Sequence, residues 1–132
     1  MKLSVLLLIA LLFTPVAFAD AEEYFISPQD GDTVSGTFEV RFGLKGMGVA
    51  PAGVDMPNTG HHHLLIDMDS LPPMDAPLPK SDQLLHFGGG QTETTLSLPP
   101  GQHTLQLILA NYAHVSFDPP LMSQKITITV TE

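Results

Sequence analysis

Phe38, Val40, Phe42 and Leu44 alternate with Glu39, Arg41 and Gly43, and this period of two limits the fold more than any other feature. Successive side chains of a strand point to opposite faces, so the segment reads as a strand with one face buried. The same period runs through Thr94, Leu96 and Leu98, through His103, Leu105, Leu107 and Leu109, and through Ile126, Ile128 and Val130. Tyr24 to Ile26, His61 to Asp67 and Gln83 to Phe87 are shorter runs with strand character. Turn chemistry separates them: Ser27-Pro28 with Asp30-Gly31, Gly88-Gly89-Gly90, and Pro99-Pro100-Gly101. Beyond the first nineteen residues no segment sustains a 3.6-residue apolar period, and the twelve prolines discourage helix further. Seven short strands in about 110 residues predict an all-β fold, an immunoglobulin-like antiparallel β-sandwich. The connections 45–59 and 68–81 are of a length that usually carries function.

Residues 1–19 read as a leader and residues 20–132 as a single domain. Lys2 supplies a positive start, Leu6 to Leu12 an apolar run, and Ala17-Phe18-Ala19 a small-x-small cleavage site. The run is broken by Thr14-Pro15 and falls short of the roughly 20 apolar residues that cross a bilayer. The expectation is an exported, periplasmic protein that is soluble after cleavage and spans no membrane. There is no cysteine, which excludes a lipid anchor of the bacterial lipobox type, disulfide staples, thiolate metal sites and thiol nucleophiles. The domain is large enough to bury roughly 65% of its unfolded surface without staples. Cleavage removes one of five basic residues and leaves four against fourteen acidic ones. That balance repels nucleic acid and anionic lipid.

Half of the six histidines stand together in Gly60-His61-His62-His63, immediately before the apolar Leu64-Leu65-Ile66. On a strand His61 and His63 share a face, with α-carbons about 6.7 Å apart, and His62 faces the other way. Two imidazoles held this way can chelate one metal ion, because the strand fixes both nitrogens. Asp67 shares that face but lies about 13 Å beyond His63, too far for the same site. The competing reading is a polar strand entry with one buried, hydrogen-bonded histidine. In the usual sandwich path His86 and His114 reach the same end as His61 and His63. Met47 and Met56 lie in the connection that leads there. His103 falls at the opposite end, where a histidine can serve as a corner that bonds back to the backbone. Imidazole with thioether favours copper, and imidazole alone suits zinc, copper or nickel. The methionines are equally explained as gap fillers under loops. Gly88-Gly89-Gly90 is followed by neither Lys-Ser/Thr nor a helix, so it is a turn and not a phosphate loop.

The segments Gly46-Met47-Gly48-Val49-Ala50-Pro51-Ala52-Gly53, Gly60-His61-His62-His63-Leu64-Leu65-Ile66-Asp67, His86-Phe87-Gly88-Gly89-Gly90-Gln91-Thr92-Glu93 and Pro99-Pro100-Gly101-Gln102-His103-Thr104-Leu105 resemble a family of small exported bacterial domains of unknown function. The resemblance implies an all-β periplasmic protein and carries no activity with it. Characterised periplasmic copper carriers are a much weaker match, since the histidine at the mature start and the spaced His-Met pairs they show are missing here.

The leading expectation is a binding module that holds a transition metal, copper before zinc, through His61, His63, His86 and His114. The alternative is an interaction domain whose loop end binds a peptide, a glycan or an envelope partner. An enzyme ranks third. A three-histidine zinc site could activate water with Glu93 as base, but there is no His-Glu-x-x-His segment and no nucleophile–base motif. If the leader is cleaved as read, intact-mass measurement of exported protein gives a chain beginning at Asp20; a species retaining residues 1–19 would show that the segment is kept.

Overall fold

Alternation over residues 37–42 buries Phe38, Val40 and Phe42 and leaves Thr37, Glu39 and Arg41 exposed, as a strand with one face on a core requires. The computed structural model describes residues 21–132; the expected leader lies outside the described residues. Within these residues every regular element is a strand. In chain order they are β1 (Glu22–Ser27), β2 (Thr33–Val34), β3 (Thr37–Lys45), β4 (Gly48–Val49), β5 (Thr59–Ile66), β6 (Leu84–His86), β7 (Glu93–Ser97), β8 (Gly101–Ala110), β9 (Ser116–Met122) and β10 (Ile126–Val130). A three-stranded sheet runs β1-β3-β7. It faces a seven-stranded sheet ordered β2-β10-β8-β5-β4, with β6 added to β5 and β9 to β8. All pairings are antiparallel except β2 with β10 and β4 with β5.

The seven expected strands appear as β1, β3, β5, β6, β7, β8 and β10, and the fold is the expected sandwich. Three strands were not expected. Thr33–Val34 and Gly48–Val49 are two-residue additions running parallel to their neighbours. Ser116–Met122 contains Asp118-Pro119-Pro120 and reads as loop. It forms a strand because the ladder to β8 uses only Ser116, Leu121 and Met122, so neither proline has to donate. Asp67 ends β5 early, with a left-handed φ of 53°.

The inner faces meet in one core: Phe25, Phe38, Val40, Phe42 and Leu96 from the small sheet, against Leu64, Ile66, Leu105, Leu107, Ile126, Ile128 and Val130 from the large one. A second, smaller core lies on the outer face of the large sheet, where Leu65, Leu84, Ile108 and Ala110 pack under Leu78, Met68 and Met74. Met74 and Leu78 belong to the proline-rich connection between β5 and β6, which crosses that face as a strap. Strand β5 is therefore buried on both sides from Gly60 to Ile66. This accounts for its apolar run without alternation.

Gly60 marks the closest approach of β5 to β8. A Cβ there would stand 2.6 Å from the Ala110 carbonyl oxygen and 2.9 Å from Leu109 Cγ, so only glycine fits. At the opposite end of the sandwich His103 fills its corner. Its Nε2–H donates to the Pro99 carbonyl at 2.8 Å and its Nδ1–H to Asp67 Oδ2 at 2.7 Å. Both partners are acceptors, so the ring carries both protons, and the bond to Asp67 holds its pKa above the usual histidine range. Asp67 also accepts from the Thr104 amide at 2.9 Å. Replacing His103 by Ala strips a close acceptor pair of its donors, and thermal melts should show a loss on the order of 1–3 kcal/mol.

Candidate metal centre

His61 and His63 leave β5 toward the outer face, where their partners across the ladder on β8 are Ala110 and Ile108. On the other edge of β5 the partner of His63 is His86 of β6. His61 and His63 are completely buried. The third ring comes from the turn after β8. Asn111 Oδ1 accepts from the amides of Ala113 at 2.9 Å and Val115 at 3.0 Å, and the His114 amide donates to the Asn111 carbonyl at 2.9 Å. This pinned turn holds His114 in the left-handed region at φ 62°, a conformation uncommon outside glycine. The strap completes the enclosure: the Leu78 amide donates to the His114 carbonyl at 2.8 Å, and Pro77 bridges Val115.

The result is a cluster of imidazoles. His114 Nδ1 lies 3.0 Å from His61 Nε2 and 3.4 Å from His63 Nε2. One nitrogen from each of His61, His63 and His114 falls within 4.8 Å of the others. His86 packs edge-on against His63, with ring centroids 4.4 Å apart, and lies 4.9 Å from His114. Its Nε2–H donates to the Pro79 carbonyl at 3.1 Å, which leaves the Nδ1 lone pair free in the neutral ring.

Burial favours the neutral form of His61, His63 and His86. Removal from water, with the neighbouring imidazoles His114, His86 and His62 adding to it, lowers His61 from 6.5 to about 4. Burial, with His61, His86 and His114 adding to it, lowers His63 to about 3, and burial also lowers His86. Neutral imidazole is the form that binds metal. His61 Nδ1 and His63 Nδ1 are buried without a hydrogen-bond partner.

All four histidines singled out by the sequence therefore meet, three of them nitrogen to nitrogen and His86 alongside. The meeting place is where β5 begins and β8 ends. It lies on the outer face of the large sheet, and the strap closes over it. His62 turns the other way, as its position requires, and is the buried, hydrogen-bonded histidine of the competing reading. Its Nδ1 is 2.6 Å from Glu23 Oε1, beneath Phe42. Burial pushes Glu23 up to about 9 and His62 down to about 4, so the carboxyl keeps its proton and donates it to the ring. Met56 is 56% exposed, and Met68, Met74 and Met122 fill gaps around the outer core. Glu93 is in the other sheet, in an exposed ion pair with Arg41 at 3.5 Å.

Three contributors escaped the sequence reading: Asn111, Leu78 and Glu23. Asn111 had a signal, since an asparagine beginning a short connection commonly accepts from amides further along. Leu78 and Glu23 had none, because their roles depend on contacts distant in sequence.

Fold and site together define a two-sheet β domain with a buried imidazole cluster on its larger sheet. Residues 40–131 match the family described as a domain of unknown function, DUF4399, and the chain belongs to that family. No curated protein matches it. Among solved structures it is similar to the endo-β-1,4-mannanase from Thermotoga petrophila, at 19% identity and a TM-score of 0.52 over 90% of this chain. The chain spans only 21% of that protein, and the likeness concerns the fold alone. The fibronectin(III)-like modules of Clostridium thermocellum CbhA align over 82% of this chain and 92% of theirs, at 9% identity and a TM-score of 0.38.

The buried titrating groups fix the sign of the pH response. Between about pH 4 and 6.5 the unfolded chain takes up protons on His61, His62 and His63 that the folded chain refuses, so stability falls as pH drops through that window. Glu23 acts oppositely. Between 4.5 and about 9 the folded chain keeps a proton that the unfolded chain has lost, so its contribution falls as pH rises. His103, raised above 6.5, likewise loses its contribution as pH rises through its folded value. The depressed histidines outnumber the raised carboxyl below 6.5, and above it only Glu23 and His103 act. Without metal the domain should be most stable near pH 6.5, and its melting temperature should fall on both sides. Melts across the range check this, and Glu23→Gln should lose the fall at the most alkaline end.

Proposed function

We propose that this is an exported binding module that holds one transition-metal ion, copper first and zinc second, through His61, His63 and His114, with His86 completing the shell. The reading rests on one observation: three imidazole nitrogens from two separate segments lie within 4.8 Å of one another. Nitrogens bound at the usual 2.0–2.1 Å around a tetrahedral ion stand about 3.3 Å apart, and the two contacts to His114 are 3.0 and 3.4 Å. The donor set fits such an ion with small side-chain adjustments. Burial supports it too, because it keeps His61 and His63 unprotonated where an exposed histidine would be partly charged. Export is the meaning we give to the basic start, apolar run and Ala17-Phe18-Ala19 of the leader. Among the described residues the group that can share an ion consists of the three imidazoles without a carboxylate, and we favour binding over catalysis on that ground.

Calorimetric titration of untagged protein should give one metal ion per chain. His63→Ala and His114→Ala should each weaken binding by more than about tenfold, or 1.4 kcal/mol. His103→Ala should leave affinity near that of the wild type, because His103 is bonded to Asp67 and Pro99 at the far end. Failure of every metal tried would remove this reading and leave the interaction-domain alternative.

A further inference from the structure

The two less buried residues of the cluster share a neighbour. His86 and His114 are half-buried, while His61 and His63 are completely buried. Both half-buried residues are tied to the strap, and to adjacent positions of it. The His86 Nε2–H donates to the Pro79 carbonyl at 3.1 Å, and the His114 carbonyl accepts from the Leu78 amide at 2.8 Å. Pro77 bridges Val115 beside them. Composition limits what else can hold the strap, because Pro72, Pro73, Pro77 and Pro79 have no N–H to donate. Its apolar grip on the sheet is the buried Leu78, with Met74 packed against the same outer core. Asp69, Leu71, Asp75 and Pro79 are exposed.

The His86 ring has a nitrogen for each side of this contact. A carbonyl only accepts, so the proton of the neutral ring is on Nε2 and the Nδ1 lone pair is the one left for an ion. The ring centroids of His63 and His114 lie 4.4 and 4.9 Å away. A histidine that ligates through one nitrogen almost always donates its other N–H to a carboxylate, a carbonyl or a water. For His86 that outer partner is in place, and it belongs to the strap rather than to the sheet.

An ion on Nδ1 draws electrons from the ring and makes Nε2–H a stronger donor. Hydrogen bonds with a charged partner are roughly twice as strong as neutral ones. The ion thus tightens the bond to Pro79, and by linkage a fastened strap tightens the hold on the ion.

We propose that His86 is a latch that couples an ion in the centre to closure of the strap, through Nδ1 on one side and the Pro79 carbonyl on the other. The proposal rests on the metal-binding reading above and adds the regulation of that site to it. In the empty domain the strap opens locally and admits an ion; in the loaded domain it is held shut. The surface that carries Asp69, Leu71 and Asp75 is loose in one form and fixed in the other.

The test is hydrogen exchange of the Leu78 amide, followed by NMR on untagged protein. It is measured without metal, with Zn(II) and, in the absence of oxygen, with Cu(I), both ions being diamagnetic. Leu78 reports local opening of the strap, and amides of the β5–β8 ladder report the sheet. In the wild type, loading should slow exchange at Leu78 by about fivefold or more, as the change from a neutral to a charge-assisted bond implies. His86→Phe keeps the bulk of the ring without the lone pair or the donor. With this variant saturated by ion, exchange at Leu78 should be the same as without ion. Exchange that loading leaves unchanged in the wild type would overturn the latch and leave the metal site standing. Equal slowing in the wild type and His86→Phe would overturn it too, because the coupling would then run elsewhere. If His86→Phe binds no ion, Leu78→Ala decides, since it loosens the strap and changes no ligand. It should weaken ion affinity by about fivefold or more, and unchanged affinity would overturn the latch. Binding of neither ion to the wild type would overturn the metal reading and the latch together.

Discussion

Burial of β5 on both faces is the constraint on which the remaining structure depends. A strand in an antiparallel sandwich ordinarily offers one face to the core and one to water. Here the strap carrying Met74 and Leu78 covers the second face, so every side chain from His61 to Ile66 is out of water. The apolar members gain from this at roughly 1.5–3 kcal/mol for a fully buried leucine or isoleucine. The histidines are carried in with them and must be satisfied there. On the inner side Glu23 pairs with His62 Nδ1, while His62 Nε2 and Glu23 Oε2 stay buried without a protein partner. On the outer side His61 and His63 meet the His114 ring. The cluster is thus a consequence of where the strand lies as much as of which residues it contains.

How much of this the sequence revealed depends on how local each signal is. Val40, Leu107 and Ile128 betray their strands because alternation needs only neighbours along the chain. His61 and His63 betray a shared face for the same reason. His86 and His114 could be brought toward them only through an assumed strand path, which carries no information on whether the shared face is the inner or the outer one. Nothing in Pro77-Leu78-Pro79 indicates that it covers the outer face, since that contact spans the distance from strap to sheet. Glu23 looks like an ordinary exposed member of Glu22-Glu23 until it is found 2.6 Å from His62. In β9, Pro119-Pro120 pointed toward loop because sequence alone does not tell which residues a ladder will skip.

The enclosure of the cluster has one part built on a long ladder and two built on short segments. His61 and His63 are fixed by six consecutive pairings between β5 and β8. His114 is held by a turn and His86 by a three-residue strand. The strap touches both, through the His114 carbonyl and through His86 Nε2. An ion reaching the buried nitrogens would have to displace strap or turn, the elements whose backbone bonds are fewest, while the sheet beneath stays intact.

Gly60 has one more consequence, and it concerns pairing fidelity. Three consecutive histidines make β5 ambiguous: after a slip of one residue against β8, a histidine would still occupy each position of the ladder from His62 outward. Yet every side chain would change faces, which would carry His62 away from Glu23 and put a ligand ring in its place beneath Phe42. The close contact at Ala110 and Leu109 forbids this, because a slip would bring a residue with a Cβ to the point where only 2.6 Å separates it from the carbonyl oxygen. The residue with no side chain thus gives the histidine tripeptide a single reading frame.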